Sequence, residues 1–237
     1  MSIRLVLTDI EGCLTANKGV ALNLQAFQWI REHLEKLPPI ALCTGRSQPY
    51  IEGILQAIGK FEDSVGENGC ILYITEKDDI TLHPKINEKT LKEKEKMKKF
   101  LREKLEGKAH IEPGKEVCVS LYPEGKLTVP ELSEITKELL KNTFPNFQVV
   151  YSYSAVDITP QGIDKGAGME MLVERKKLNY DEILGIGDSL GDLPFLQKLK
   201  CKTTPANGHP TLKSIATYTA KEENILGVIE ILKHFFL

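Results

Sequence analysis

Short apolar runs, each broken off by a polar cluster, recur along this 237-residue chain. Ile3 to Thr8, Ile40 to Cys43 and Ile183 to Ile186 do not alternate with polar residues, which predicts strands buried on both faces. Helical periodicity follows the first two runs. One helix is expected from roughly Leu22 to Lys36, with Asn23 suited to the N-cap, and another from about Pro49 to Ile58. The stretch "LKCKTTPANG" predicts one more strand and turn, and "ATYTAKEENILGVIEILKHFF" ends in an amphipathic helix whose Ile225, Ile229 and Leu232 belong to a core. Strands alternating with helices predict a parallel sheet, hence an α/β fold.

The middle of the chain has another texture. Asn87 to Lys108 reads as a highly charged helix with one apolar stripe, Met97, Leu101 and Leu105. A strand is expected at about Val117 to Tyr122, a helix starting at Pro130, and one or two strands in "FQVVYSYSAVDIT". This block predicts an inserted α+β domain over residues 82–153. Residues 1–81 and 154–237 then close into one core domain around it.

Composition adds mainly exclusions. Net charge is −2, so no basic excess marks nucleic acid as a partner. The Lys/Glu-rich helix mixes both signs, as a solvated face does. Five scattered cysteines form no C-x-x-C pair, so neither a zinc knuckle nor a disulfide framework is indicated; reduced thiols in a cytoplasmic protein are the simplest reading. No apolar stretch reaches the ~20 residues of a membrane helix, and the first residues lack the apolar core of a signal peptide.

The chemistry sits where the strands end. In parallel sheets, sites form beyond the carboxyl ends of the strands. Three apolar runs here end in Asp9-Ile-Glu11-Gly12, Thr44-Gly45-Arg46 and Asp188-Ser-Leu-Gly-Asp192. A carboxylate attacking a phosphate dianion meets several kcal/mol of repulsion at ~4 Å. A divalent cation removes that barrier, and Asp9, Asp188 and Asp192 offer the oxygen donors that suit Mg²⁺. Lys165 supplies a balancing charge, Thr44 a hydroxyl for a phosphoryl oxygen, and Glu11 a carboxylate placed for acid–base work. Gly45, Arg46 and Asn207 are further candidates for substrate contact, as is Asn68; Arg46, Asn68 and Asn207 fit structural roles as well.

These residues resemble the haloacid dehalogenase (HAD) superfamily of phosphohydrolases. "DIEGCLT" is similar to its D-x-D-G-T-[LI] motif, "LCTGR" to its Thr/Ser-ended strand, Lys165 to its lone lysine and "GIGDSLGDLPF" to its G-D-x-x-x-D motif. The long interval before Lys165 is where the type IIB (Cof-like) group carries its cap, and "GENGC" and "PANG" are similar to that group too. The resemblance implies a Rossmann-like core, an αββαββ-type cap, and Mg²⁺-dependent phosphate transfer through an aspartyl-phosphate. It implies Asp9 as nucleophile and metal ligand, Thr44 and Lys165 as phosphate binders, and Asp188, Asp192 and the Glu11 main-chain carbonyl at the metal. The expected activity is that of a phosphoric monoester hydrolase on a small phosphorylated metabolite. Phosphoglycolate-type substrates fit the small cap, with sucrose-phosphate- and mannosyl-3-phosphoglycerate-type substrates as competitors. A monomer or homodimer is equally compatible.

Two positions depart from the motif. Glu11 stands where the family has Asp, which moves the carboxylate outward by over ~1 Å, a shift that can cost ~100-fold in rate. Cys13 stands in place of threonine. A phosphomutase or other phosphotransferase on the same core, and a binding protein weakened as a catalyst by Glu11, are the alternatives.

Overall fold

The computed structural model describes residues 2–16 and 20–237. The chain enters through β1 (Leu5–Thr8), turns through α1 (Leu24–His33), and returns along β2 (Ile40–Leu42) and α2 (Gln48–Ile58). Asn23 caps α1, its side chain accepting the Ala26 N–H. A short antiparallel sheet follows, β3 (Ser64–Gly66), β4 (Ile71–Ile74) and β5 (Asp79–Leu82). The sequence reading assigned no strand here.

Next come α3 (Glu88–Lys104), β6 (Ala109–Ile111), β7 (Val119–Pro123), α4 (Val129–Leu140), β8 (Phe147–Tyr151) and β9 (Val156–Pro160). Thr128 and Glu131 form a capping box that starts α4. The remaining elements are α5 (Lys165–Lys176), β10 (Ile183–Ile186), α6 (Leu193–Leu196), β11 (Cys201–Thr204), α7 (Pro210–Ile215), β12 (Tyr218–Thr219) and α8 (Asn224–Phe236).

Five strands form a parallel sheet in the order β12-β11-β10-β1-β2. Along β1 the side chains divide between its two faces. Val6 packs with Phe27, Ile30, Ile54 and Ile231 from α1, α2 and α8. Leu5 and Leu7 pack with Met169, Leu172 and Phe195 from α5 and α6. Burial on both faces explains why these strands read as continuous apolar runs. β3 joins the edge of this sheet through a parallel bridge between Cys43 and Val65.

The strands β6-β7-β9-β8 form a separate antiparallel sheet. The apolar stripe of α3, Met97, Leu101 and Leu105, is buried against it with Val119, Leu132 and Ile158. This sheet runs past residue 153, because β9 pairs with both β7 and β8 up to Pro160. Among the described residues, no helix is long and apolar enough to cross a membrane.

Register places the chemistry. β1 pairs with β10 as Thr8↔Ile186 and with β2 as Thr8↔Leu42. The residues that follow, Asp9, Cys43-Thr44 and Gly187-Asp188, therefore leave the sheet at one edge, side by side.

Candidate active site

Asp9 continues β1 by one hydrogen bond, its N–H donating to the Ile186 carbonyl at 3.0 Å. Its Oδ1 accepts the Ile10 N–H at 2.7 Å, and its Oδ2 lies 2.8 Å from Lys165 Nζ. Lys165 is the first residue of α5, where a cation opposes the helix dipole. Its reward lies across the site: Nζ also meets Asp192 Oδ1 at 2.5 Å. Asp192 is fully buried, and its other oxygen accepts the N–H groups of Asp188 and Ser189 at 3.0 and 2.9 Å and the Ser189 hydroxyl at 3.1 Å.

One carboxylate oxygen each from Asp9, Asp188 and Asp192 lie within 4.8 Å of one another. Crowding shows in their acidity. Burial, then the Asp192 charge, pushes the Asp9 carboxyl up to about 7 even though Lys165 pulls the other way. Burial, then Asp192 and Asp9, pushes Asp188 up to about 8. Cys13 is buried beside them, its Sγ 4.0 Å from Asp188 Oδ1; burial and the Asp188 charge raise it well above a normal thiol, so it stays protonated and unreactive.

Gly12 makes the convergence sterically feasible. Its φ is +79°, and a Cβ there would fall 2.0 Å from Asp188 Oδ2. Gly12→Ala is expected to destabilise the fold by about 1–2 kcal/mol through its backbone alone, to push Asp188 aside, and to abolish phosphate release. Thermal melting and a phosphate-release assay on the purified variant check both effects.

The Thr44-Gly45-Arg46 loop forms the next wall. Thr44 is buried, and its hydroxyl accepts the Arg46 N–H at 3.3 Å. Arg46 pairs with Glu11 and, at 3.0 Å, with Glu112, a residue between β6 and β7. Glu112 also accepts the Tyr122 hydroxyl at 3.1 Å and lies 3.0 Å from Lys115 Nζ. Burial works to raise the Glu112 carboxyl, but Lys115 and Arg46 outweigh it and hold it below the usual range. The chain Glu11–Arg46–Glu112 thus bridges the parallel-sheet edge and the antiparallel sheet. Between them lies a cleft of about 90 Å³, with Asp9 and Lys165 at its floor and Lys115, Tyr122 and Asp157 on the far side.

The residues expected from the sequence therefore separate. Asp9, Lys165, Asp188 and Asp192 meet in one cluster. Glu11, Gly45 and Arg46 line the cleft, with Thr44 buried behind them. The Glu11 carboxylate stands outside the three-carboxylate group and turns to Arg46. Asn207, expected among the substrate contacts, sits elsewhere: its Nδ2 donates to the Gly12 carbonyl at 2.9 Å and its Oδ1 accepts the Asn224 N–H at 2.8 Å. Both ends of its amide are used in tying the Gly12 turn to α8. Lys115 and Tyr122 also line the cleft, while Lys126 is exposed and not among its lining residues. Glu112, Asp157 and Ser189 were not foreseen; "HIEPGKEV" carries no local pattern that points an acid at Arg46.

A family model described as haloacid dehalogenase-like hydrolase matches residues 126–232. A phosphoglycolate phosphatase of Nitrosopumilus maritimus is 30% identical over 247 aligned positions, spanning 98% of this chain and 96% of that one. The chain belongs to the haloacid dehalogenase-like hydrolases. A phosphoglycolate phosphatase of Staphylothermus marinus is 25% identical over 98% of this chain and 97% of its own. The crystal structure of Thermoplasma acidophilum 0175 superposes with a TM-score of 0.80 at 26% identity, covering 99% of both chains. This HAD-like hydrolase is a phosphatase that acts on phosphorylated small molecules, on a parallel-sheet core accompanied by antiparallel sheets.

Proposed function

We propose that the enzyme hydrolyses a small phosphate monoester of the phosphoglycolate type, with Mg²⁺, through a phosphorylated Asp9. One observation carries the reading: Asp9 after β1, Asp188 and Asp192 after β10, and the buried Lys165 at the start of α5 converge beside one cleft. The two phosphoglycolate phosphatase relatives point the same way.

The donor set is all oxygen, with no imidazole or free thiolate among the three, which fits Mg²⁺. Asp9, Asp188 and the Glu11 main-chain carbonyl would hold it, with Asp192 behind them bonded to Lys165 and two backbone N–H groups. When bound, the ion neutralises the carboxylates and polarises the phosphoryl group.

The chain's own residues do the rest. An Asp9 oxygen attacks phosphorus, the P–O bond to the substrate breaks, and Glu11 gives its proton to the departing alkoxide. Glu11 then takes a proton from water, whose oxygen attacks phosphorus and releases phosphate and Asp9. Thr44 and Lys165 steady the phosphoryl oxygens. The longer side chain at position 11 pairs with Arg46 at the cleft wall, and it has to leave that pair and take up a proton to act as the acid. The segment around residues 82–153, with its sheet completed by β9, acts as the cap, and its Glu112 meets Arg46 across the cleft.

Phosphate release from phosphoglycolate, triose and hexose phosphates and p-nitrophenyl phosphate, each with Mg²⁺ or EDTA, tests this reading. Turnover that requires Mg²⁺ and favours the two-carbon ester supports it. Absence of turnover on every ester with Mg²⁺ present refutes it.

A stability measurement adds a second check. Asp9 and Asp188 are raised from an ordinary 3.8 to about 7 and about 8 without metal. Between pH 4 and 8 the folded protein therefore holds protons that the unfolded chain has shed, and metal-free stability falls as pH rises through this window. Mg²⁺ binds the deprotonated carboxylates. The Mg²⁺-induced rise in melting temperature is expected to grow from pH 5 to pH 8.

A further inference from the structure

Glu67 and Asn68, directly after β3, both have left-handed backbones, with φ of +50° and +55°. Two consecutive non-glycine residues in that region are uncommon and strained, and persist only where surrounding contacts enforce them. Those contacts are present. The buried Glu67 carboxylate accepts the N–H groups of Glu116, Val117 and Cys118 at 2.8, 2.8 and 2.9 Å. The Glu67 and Asn68 N–H groups each donate at 3.0 Å to the carbonyls of Arg46 and Thr44. One turn thus grips the antiparallel-sheet segment with a side chain and the Thr44–Arg46 loop with its backbone.

What the turn presents is the Asn68 carboxamide. It lies flat on Gly45, where an added Cβ would come within 3.1 Å of Oδ1 and 3.2 Å of Nδ2. It lines the same cleft as Asp9 and Lys165. Its Nδ2 is buried and has no hydrogen-bond partner. An amide nitrogen can donate two hydrogen bonds and accept none, and a buried donor left unpaired is destabilising. The cleft therefore lacks an acceptor at this point. A phosphoryl group brings three oxygens rich in lone pairs, and hydrogen bonds to an anion are roughly twice as strong as neutral ones.

We infer that Asn68 donates from Nδ2 to a phosphoryl oxygen of the bound monoester, held in place by the grip of Glu67 on residues 116–118. This rests on the reading that a phosphate monoester occupies the cleft. Asn68 is then a substrate-binding residue, and Glu67 a positioning residue that makes phosphate binding depend on where the antiparallel sheet sits.

The test compares wild type with Asn68→Ala, Asn68→Asp and Asn68→Gly. It reads kcat/KM on p-nitrophenyl phosphate with Mg²⁺, the inhibition constant of inorganic phosphate, and the melting temperature. One lost hydrogen bond to a charged group corresponds to roughly a 10- to 100-fold drop in kcat/KM for Asn68→Ala, with inorganic phosphate inhibition weakened to match. Asn68→Asp falls further, because it sets a second anion against the phosphate. Asn68→Gly loses activity like alanine yet melts at or above wild type, since glycine relieves the left-handed backbone. An unchanged phosphate inhibition constant in Asn68→Ala overturns the inference, as does a loss of activity in all three variants that tracks falling melting temperature alone. If wild type hydrolyses no ester, the hydrolase reading fails by itself. Asn68 is then decided by calorimetry with inorganic phosphate, weaker binding to Asn68→Ala supporting its role and equal binding refuting it.

Discussion

Asp9→Asn is expected to cut phosphate release by about a thousandfold or more, since an amide cannot form the phosphoryl ester that the cycle needs. The substitution is isosteric, so the backbone bond from Asp9 to Ile186 and the pairing of β1 with its neighbours remain. What changes is the charge and one acceptor. Oδ1 and Oδ2 both face donors, Ile10 N–H and Lys165 Nζ, and an amide must turn a donor toward one of them. The metal response separates this local loss from general damage. At 100 times its dissociation constant a ligand stabilises the fold by about 2.7 kcal/mol, which is about 5–10 °C of melting temperature for a chain of this size. Wild type should show that shift with Mg²⁺ at pH 8, and Asp9→Asn well under half of it. A variant that keeps both the Mg²⁺ shift and the turnover would remove Asp9 from the chemistry.

Lys165→Met is the more damaging change to the fold. Burial alone would drive the lysine toward its neutral form, but Asp192 and Asp9 outweigh burial and hold it protonated far above its ordinary value. Taking one partner out of a buried ion pair typically costs about 3–5 kcal/mol, because the remaining charge is left uncompensated. Here two carboxylates lose their cation at once. A drop of about 10 °C or more in melting temperature is expected in EDTA. With Mg²⁺ the drop should be smaller, because the dication supplies part of the missing charge. Lys165 itself is charged in both folded and unfolded chains from pH 5 to 9, so the pH dependence of its contribution follows its partner Asp9, which titrates at about 7. Turnover should fall by about 10²–10³-fold, the loss typical of removing one donor to developing charge. An EDTA melting temperature close to wild type would mean that the cluster is held together without Lys165.

Much of this arrangement was readable in the residues, and the reason is local. Val6-Leu7-Thr8-Asp9 and Ile186-Gly187-Asp188 each switch from buried strand to acid within a residue or two, and parallel pairing in register brings such tips together. The stripe Met97, Leu101, Leu105 located α3 because helical spacing repeats over many residues. β3 and β5 escaped because Ser64-Val65-Gly66 has one apolar residue and β5 alternates only between exposed and half-buried positions, whereas β4, Ile71–Ile74, is an apolar run as short as β1 that no candidate site residue at its end singled out. Asn207 stayed open between turn and site because an amide in a Pro/Gly turn looks the same whether it meets a ligand or the Gly12 carbonyl. The pairing of Glu112 with Arg46 spans 66 positions, and no property of either residue announces the other.

The strand order carries a consequence for how the molecule is made. β1 lies between β2, which follows it within about thirty residues, and β10, which is complete only at Ile186. At roughly 5–20 residues per second on the ribosome, one side of that first strand stays unpaired for on the order of ten to thirty seconds. A nascent chain in that interval presents Leu5-Val6-Leu7 with open backbone groups, a template for a neighbouring polypeptide. Translation pauses after the middle segment should therefore lower the yield of intact enzyme without altering the specific activity of the molecules that finish.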